Sequence, residues 1–326
     1  MAGVKITVTS VSWVVAGGLA AWAAVRVAAA DRERRTATLV VPLLSFTPQV
    51  AAAAPWAALG LRLAGRRGPA TMAALAAAAL GLAVRSRAIP QSQPEASGPV
   101  LRLLTVNLFV GRADAEAVVA RVREAGADVL FVQELTDGAV GCLRRAGLDD
   151  LLPHTRLDLR VGPRGSGIYS RFPLSGGPSV APAYAAQPTA LLELPGGEKV
   201  ELICVHPAAP NPARRGGAVR WRAELAVLPP PGGLPRVIAG DFNATLDHGA
   251  FRDVLSLGYA DAAQQAGNAL TPTWGRPGKG AVLTLDHVLV DRSCAVLACS
   301  VHIIPGSDHR AVYARIQLPG VMRPDS

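Results

Sequence analysis

The sequence predicts an α/β domain carried behind membrane-spanning helices, and three observations predict it. Composition divides the 326 residues near Pro90: ahead of it lie mostly Ala, Val, Leu and Gly, and beyond it an ordinary mixture long enough for a full core. The part ahead holds three long apolar stretches, Ile6 to Ala30, Ala37 to Leu63 and Ala70 to Val84. The apolar runs beyond are short and β-branched and end on polar side chains, as buried strands do when they deliver chemistry to a sheet edge.

The first two stretches meet the length of about 20 residues that a bilayer crossing requires; the third is shorter and alanine-rich. Residues 1–88 therefore read as a membrane anchor of three transmembrane helices, 89–99 as a linker rich in Pro, Ser and Gln, 100–320 as the folded domain and 321–326 as a tail. Arg26 can snorkel to the interface, and Trp13, Trp22 and Trp56 suit the headgroup belt. A cleaved signal peptide is the competing account of the first stretch, but no small-residue cleavage site precedes Asp31-Arg-Glu-Arg-Arg35. Arg32, Arg34 and Arg35, then Arg62, Arg66 and Arg67, then Arg85 and Arg87 spread positive charge over both sides, so charge leaves the orientation open.

The net charge of +9 does not indicate a nucleic-acid binder. Residues 1–99 hold ten Lys and Arg against three Asp and Glu, which leaves 23 against 21 for the rest. The four cysteines lack metal-binding spacing; Cys142 and Cys204 read as core residues, and Cys294 and Cys299 as buried thiols or a pair.

Within the domain, Val100 to Leu108 reads as a strand carrying Asn107 at its end, followed by a helix over Asp114 to Ala125 with Asp114 as N-cap. Ala127 to Leu135 is a second strand, ending on Glu134; a carboxylate there caps the next turn or binds a cation. Gly165 to Pro173 holds a short strand, and Lys199 to Pro207 another that closes on His206. Arg214, Arg215, Arg220 and Arg222 lead into the next helix, as a solvated face or a phosphate reader. Arg236 to His248 is the stretch the others serve: a buried strand turns at Gly240 and presents Asp241 and Asn243 side by side, although Gly, Asp and Asn would also suit a plain turn. Leu270 to Gly275, with Trp274, is a loop, and Ala281 to Val290 a strand interrupted by Asp286 and His287, at least one of which must be paired inside. Asp308 and His309 precede a last strand, Ala311 to Leu318.

Taken in order, Asn107, Gln133-Glu134, Gly167-Ile-Tyr-Ser-Arg171, His206-Pro207, Gly240-Asp-Phe-Asn243, Asp286-His287 and Ser307-Asp-His309 resemble the endonuclease/exonuclease/phosphatase superfamily over residues 100–318. The apolar N-terminal stretches resemble its membrane-anchored bacterial branch, which includes VanJ-type teicoplanin-resistance proteins. The resemblance implies a four-layer α/β sandwich of two packed sheets flanked by helices. It implies a metal-dependent hydrolase of phosphoric esters or anhydrides, with Glu134, Asn107 and Asp308 holding Mg²⁺ or Mn²⁺. Asp241 would activate water and Asn243 position it, His309 oriented by Asp286 would meet the phosphoryl group, and His206 would donate to another oxygen. Arg171, Arg214, Arg215, Arg220, Arg222 and Trp274 would bind substrate. His287 stands where relatives often have tyrosine, and Phe109 where they have a further acidic residue. The expected partners are membrane lipid and a phosphorylated or pyrophosphorylated, polyprenyl-linked substrate in preference to nucleic acid. The expected place is the cell membrane, crossed several times, with the domain outside. A surface nuclease and a degenerate binding module are the alternatives.

Overall fold

Two six-stranded mixed sheets pack face to face, and each keeps helices on its outer side. The computed structural model describes residues 8–32, 37–276 and 278–320; Ile6, Thr7, Arg34, Arg35 and the expected tail 321–326 lie outside the described residues. The first sheet runs β11 (Ala295–Ile303), β12 (Arg310–Gln317), β1 (Val100–Asn107), β2 (Val129–Gln133), β4 (Ser166–Ser170), β3 (His154–Asp158). The second runs β5 (Leu174–Gly176), β6 (Thr189–Glu193), β7 (Lys199–Val205), β8 (Arg236–Asp241), β10 (Asp286–Asp291), β9 (Tyr259–Asp261).

Side chains alternate between the faces of a strand, so the fully buried central strands each feed two cores. Leu101, Leu103, Val129 and Phe131 meet Leu202, Cys204, Val237 and Ala239 between the sheets. Val106, Leu130 and Val132 face outward onto α5 (Ala115–Ala125) and α6 (Asp137–Arg145), and Ile203, Ile238 and Leu289 onto α8 (Gly217–Ala226) and α9 (Gly249–Ser256). Helix, sheet, sheet, helix is the four-layer sandwich expected. Asp114 caps α5 as read, accepting from the Glu116 and Ala117 amides.

The last-but-one expected strand is shorter than its apolar run. Residues 281–285 form a loop bonded to Trp274, and β10 begins at Asp286. Cys142 is exposed on α6 instead of in the core, and all four cysteines are free.

Of the N-terminal helices, α1 (Val8–Ala28) and α4 (Arg67–Arg85) are long and apolar enough to cross a membrane. The second apolar stretch is not one straight helix: α2 (Ala37–Leu44) and α3 (Thr47–Leu63) meet at 70° and make a third span only if the bent pair counts as one. Proline explains the break, since Pro48 sits in the first turn of α3, where its missing amide is tolerated, and could not continue α2. Alanines let α1, α3 and α4 approach closely, Ala16 meeting Ala58 and Ala73. Helix α2 instead buries Val41 with Trp221 and Phe251 of the second sheet's outer layer. The segment 89–99 is strapped along the domain: Gln91 N–H donates to Gln265 O at 2.9 Å, Val296 N–H to Gln93 Oε1 at 2.8 Å and Gly98 N–H to Leu318 O at 2.9 Å.

Candidate active site

Strand direction brings the polar strand ends together. Strands β1 and β2 are parallel, as are β7 and β8, so Asn107, Glu134, His206 and Asp241 all emerge where those strands end. Strands β10 and β12 run antiparallel to β8 and β1, so their first residues lie beside those ends; Asp286 pairs directly with Asp241, and His309 immediately precedes β12.

At this edge the backbone is bent. Gly240 has φ of 149°, and a Cβ there would collide with the Val205 carbonyl. Glu134 and Asn243 take left-handed φ values of 55° and 49°, a conformation unusual enough outside glycine to mark a functional turn. Asn107 bridges the two sheets, its Nδ2 donating to Glu134 Oε1 and Asp241 Oδ2, both at 3.2 Å. Glu134 Oε2 also accepts from the Val110 amide at 2.8 Å, so it does not cap the following helix; Thr136 does. Asp241 Oδ1 accepts from the Asn243 amide at 2.8 Å, and Asn243 Nδ2 donates to Pro207 O at 3.0 Å. His309 Nδ1 donates to both oxygens of Asp286, at 2.9 and 3.1 Å. Its Nε2 lies 3.6 Å from Asp241 Oδ2, as does His206 Nε2.

Burial sets the charges. It raises Asp241 to about 6, with His309 opposing and Asp286 adding to the rise. Burial alone would lower His309, but Asp286 and Asp241 outweigh it and hold the imidazolium up at about 10. His206 falls to about 4 through burial despite the pull of Glu134, and is neutral; Glu134 is itself raised by burial against His206 and Asn107. The site thus pairs a basic carboxylate with a charged histidine, the separation that acid–base chemistry at neutral pH requires.

The donor set fits a hard cation. Asp308 Oδ1 is buried without a hydrogen-bond partner while its Oδ2 accepts from Trp274 Nε1 at 3.2 Å, and Glu134 adds a carboxylate beside the Asn107 amide. Ligand atoms of Asp241, Asp286 and His309 also come within 4.8 Å of one another. Both oxygens of Asp286 are engaged by His309, and Glu134 and Asp308 line the same cleft as further carboxylates.

A cleft of about 950 Å³ opens above these groups, lined among others by Trp274 and Arg214. The other expected substrate residues do not line it. Arg215 and Arg220 are exposed, and Arg222 faces a separate groove between α8 and α9. Arg171 is at the wrong end of its sheet: β4 runs antiparallel to β2, so the residue after β4 sits beside Asp128, 3.7 Å from its carboxylate, while Glu134 lies past the far end of β2. Two lining groups escaped the sequence: Arg276 and Lys279, and Pro42, Ser45 and Phe46 at the end of α2 and the break after it. Prolines 42 and 48, interrupting an apolar run, were the available signal for the second.

His287, where tyrosine was expected, is fully engaged: Nδ1 to Asp261 Oδ2 at 2.7 Å and Nε2 to Ala244 O at 3.0 Å, behind the Asp241 loop. Phe109 takes a left-handed turn and lines the cleft where a further acid was expected.

The fold is shared with solved structures. An endonuclease/exonuclease/phosphatase from Beutenbergia cavernae superposes with a TM-score of 0.55 at 21% identity, covering 68% of this chain and 72% of its own. TDP2 from D. rerio, complexed with single strand DNA product, gives 0.53 at 16%, covering 67% and 99%. Truncated Caenorhabditis elegans TDP2 gives 0.51 at 18%, covering 68% and 100%. No curated protein matches the sequence. The family model for the "Endonuclease/Exonuclease/phosphatase family" matches residues 104–309, a span that holds every strand end from Asn107 to His309, and the chain therefore belongs to that family.

Proposed function

We propose that the protein is a membrane-anchored, divalent-metal-dependent phosphoesterase that hydrolyses a phosphate ester or pyrophosphate of a lipid-linked substrate on the extracytoplasmic side. The observation that carries the chemistry is the buried Asp241 beside the Asp286–His309 pair, with Glu134 and Asn107 across the sheet junction. Asp241 takes the proton of the attacking water, and Asn243 holds that water or a phosphoryl oxygen in line. His309, kept charged and oriented by Asp286, stabilises charge on the phosphoryl oxygens or protonates the leaving group; neutral His206 donates to another oxygen. Mg²⁺ or Mn²⁺ held by Glu134, Asn107 and Asp308 would polarise the phosphoryl group and offset its charge.

What supports a lipid-linked substrate, such as a polyprenyl phosphate, is tethering: apolar helices packed onto the domain keep the site at a surface where such a substrate is concentrated. The resemblance to VanJ-type proteins supports the outer face. A reporter fused after Ser326 tests the orientation, and alkaline phosphatase activity is the expected result.

The purified full-length chain should hydrolyse a phosphoester in Mg²⁺ and stop with EDTA. Glu134→Gln and His309→Ala should each lower kcat by roughly 10²–10⁴, and turnover retained within tenfold would sink the mechanism. A nuclease reading has two observations in its favour, the cations Arg214, Arg276 and Lys279 lining the cleft and the DNA product bound to the D. rerio relative. Plasmid DNA assayed beside polyprenyl pyrophosphate decides between them.

A further inference from the structure

Part of the cleft wall comes from the N-terminal helices. Pro42, Ser45 and Phe46, at the break between α2 and α3, line the same cavity as Asp241 and His309. Around its mouth Phe46, Val110 and Val282 remain 42%, 38% and 43% exposed, and Leu43 on α2 is 53% exposed. Single exposed apolar residues are ordinary. Here three line one cleft whose floor is charged and whose edge continues into helices apolar enough for a bilayer, which is the profile of a site for an amphiphile.

The wall is fixed in place. His248 Nδ1 accepts from the Thr245 amide at 2.9 Å, so its proton is on Nε2, which donates to Val41 O at 2.8 Å and lies 3.2 Å from Ser45 Oγ. Gln49 Nε2 donates to Val282 O at 2.7 Å, joining the start of α3 to the opposite lip. His248 lies seven residues after Asp241, so one loop sets both the reacting carboxylate and the break beside Phe46. Arg214, Arg276 and Lys279 add positive charge to the lining, for anionic groups beyond the reacting phosphorus.

We propose that Phe46, with Val110 and Val282, holds the hydrocarbon chain of an amphiphilic phosphate ester or pyrophosphate whose head lies on the Asp241–His309 cluster. The break in the second apolar stretch is then part of the substrate site. This rests on the phosphoesterase reading, and it narrows the substrate to one whose chain begins within a few bonds of phosphorus. A long polar polymer would leave the wall unused.

The test compares two diesters with the same leaving group, methyl and dodecyl p-nitrophenyl phosphate, on the full chain in nanodiscs with Mg²⁺. Water attacks phosphorus, the aryl P–O bond breaks, p-nitrophenolate leaves and the alkyl phosphate remains. The wild type should prefer the dodecyl ester in kcat/KM by roughly tenfold or more, as contact with a phenyl ring and two valines predicts. Phe46→Ser should bring that ratio down towards one, and Val282→Ser, which leaves the helices untouched, should lower it in the same direction. No preference in the wild type, or a ratio unmoved by both variants, overturns the proposal.

If neither ester turns over, the diesterase form of the phosphoesterase reading fails by itself, and calorimetric binding of dodecyl phosphate still decides the wall. Binding about tenfold weaker in Phe46→Ser supports it, and equal binding overturns it. Farnesyl phosphate and lysophosphatidate in the same titration separate a prenyl from an acyl source; either one, weakened by Phe46→Ser, supports the assignment. A single-stranded oligonucleotide cleaved faster than the dodecyl ester, with no effect of Phe46→Ser, overturns it.

Discussion

Asp241 closes β8 and Asp247 lies six residues on, in the loop that follows; both are buried, and they are built for opposite ends. Asp241 faces groups that can change protonation, His309 and His206, each 3.6 Å away, and burial raises it to about 6. Asp247 faces groups that cannot. Arg87 forks onto both its oxygens at 2.6 and 2.7 Å, and Arg26 Nε reaches it at 2.6 Å. Burial would raise Asp247 too, but the two guanidinium groups overcome it and hold the carboxyl below its ordinary value. A buried carboxylate with permanent cations is a structural clasp, here fastening α1 and the end of α4 to the loop that follows β8. One with titratable neighbours keeps its reactivity.

The largest expected effect separates the two by kind. Asp241→Asn should lower kcat/KM by roughly 10³-fold or more while the thermal midpoint holds or rises, because it removes a costly buried charge along with the base. Asp247→Ala should do the reverse. Stranding two buried guanidinium groups costs about 3–5 kcal/mol, read as a lower unfolding midpoint in detergent, with activity lost only as far as the helices come away. An Asp247→Ala protein of unchanged stability would dissolve the contrast.

The cluster of polar strand ends around Asp241 was legible in the sequence and the clasp around Asp247 was not. Asn107, Glu134, His206, Asp241 and His309 each close or open an apolar run, so each announces itself within about ten residues, and strand direction does the rest. Arg171 misled because a residue's neighbourhood along the chain does not say which end of an antiparallel strand it occupies. Asp247 pairs with residues 160 and 221 positions away, and nothing local in Thr-Leu-Asp-His marks it. The bend at Ser45 and Phe46 lies between: Pro42 and Pro48 signal a break, but only packing of Val41 on Trp221 turns that break towards the cleft.

Acid titration should expose the two carboxylates in different windows. A buried acid with a raised folded value favours the protonated fold, so the contribution of Asp241 in EDTA falls as pH rises from about 4 to about 6, by up to about 3 kcal/mol. Asp247, with a depressed folded value, contributes stability that is complete above about 4 and is lost only as pH falls through its folded value. His309 acts on the other side: its contribution is present below about 6.5 and fades as pH climbs towards 10. Unfolding midpoints of the wild type and Asp241→Asn from pH 3 to 8 check this. His206, lowered to about 4, works the other way over the same range, so the variant should gain stability more steeply than the wild type as pH rises from 4 to 6, while the loss below 4 remains.

The smallest effect tests whether the clasp depends on charge or on shape. Arg87 is almost fully buried and engages Asp247 with two nitrogens in the planar fork that a carboxylate matches; Arg26 offers one nitrogen and keeps 12% of its side chain exposed. Lysine keeps the charge and loses the fork. Arg87→Lys should therefore cost about 1–3 kcal/mol, since a buried charge-assisted hydrogen bond of the fork is lost even though Arg26 still serves Oδ1, whereas Arg26→Lys should stay below about 1 kcal/mol because water and Arg87 remain to compensate. Chemical denaturation of the two variants in the same detergent measures the difference. Equal costs would mean that Asp247 senses only net positive charge, and the geometric account of how the helices are held to the Asp241 loop would fail.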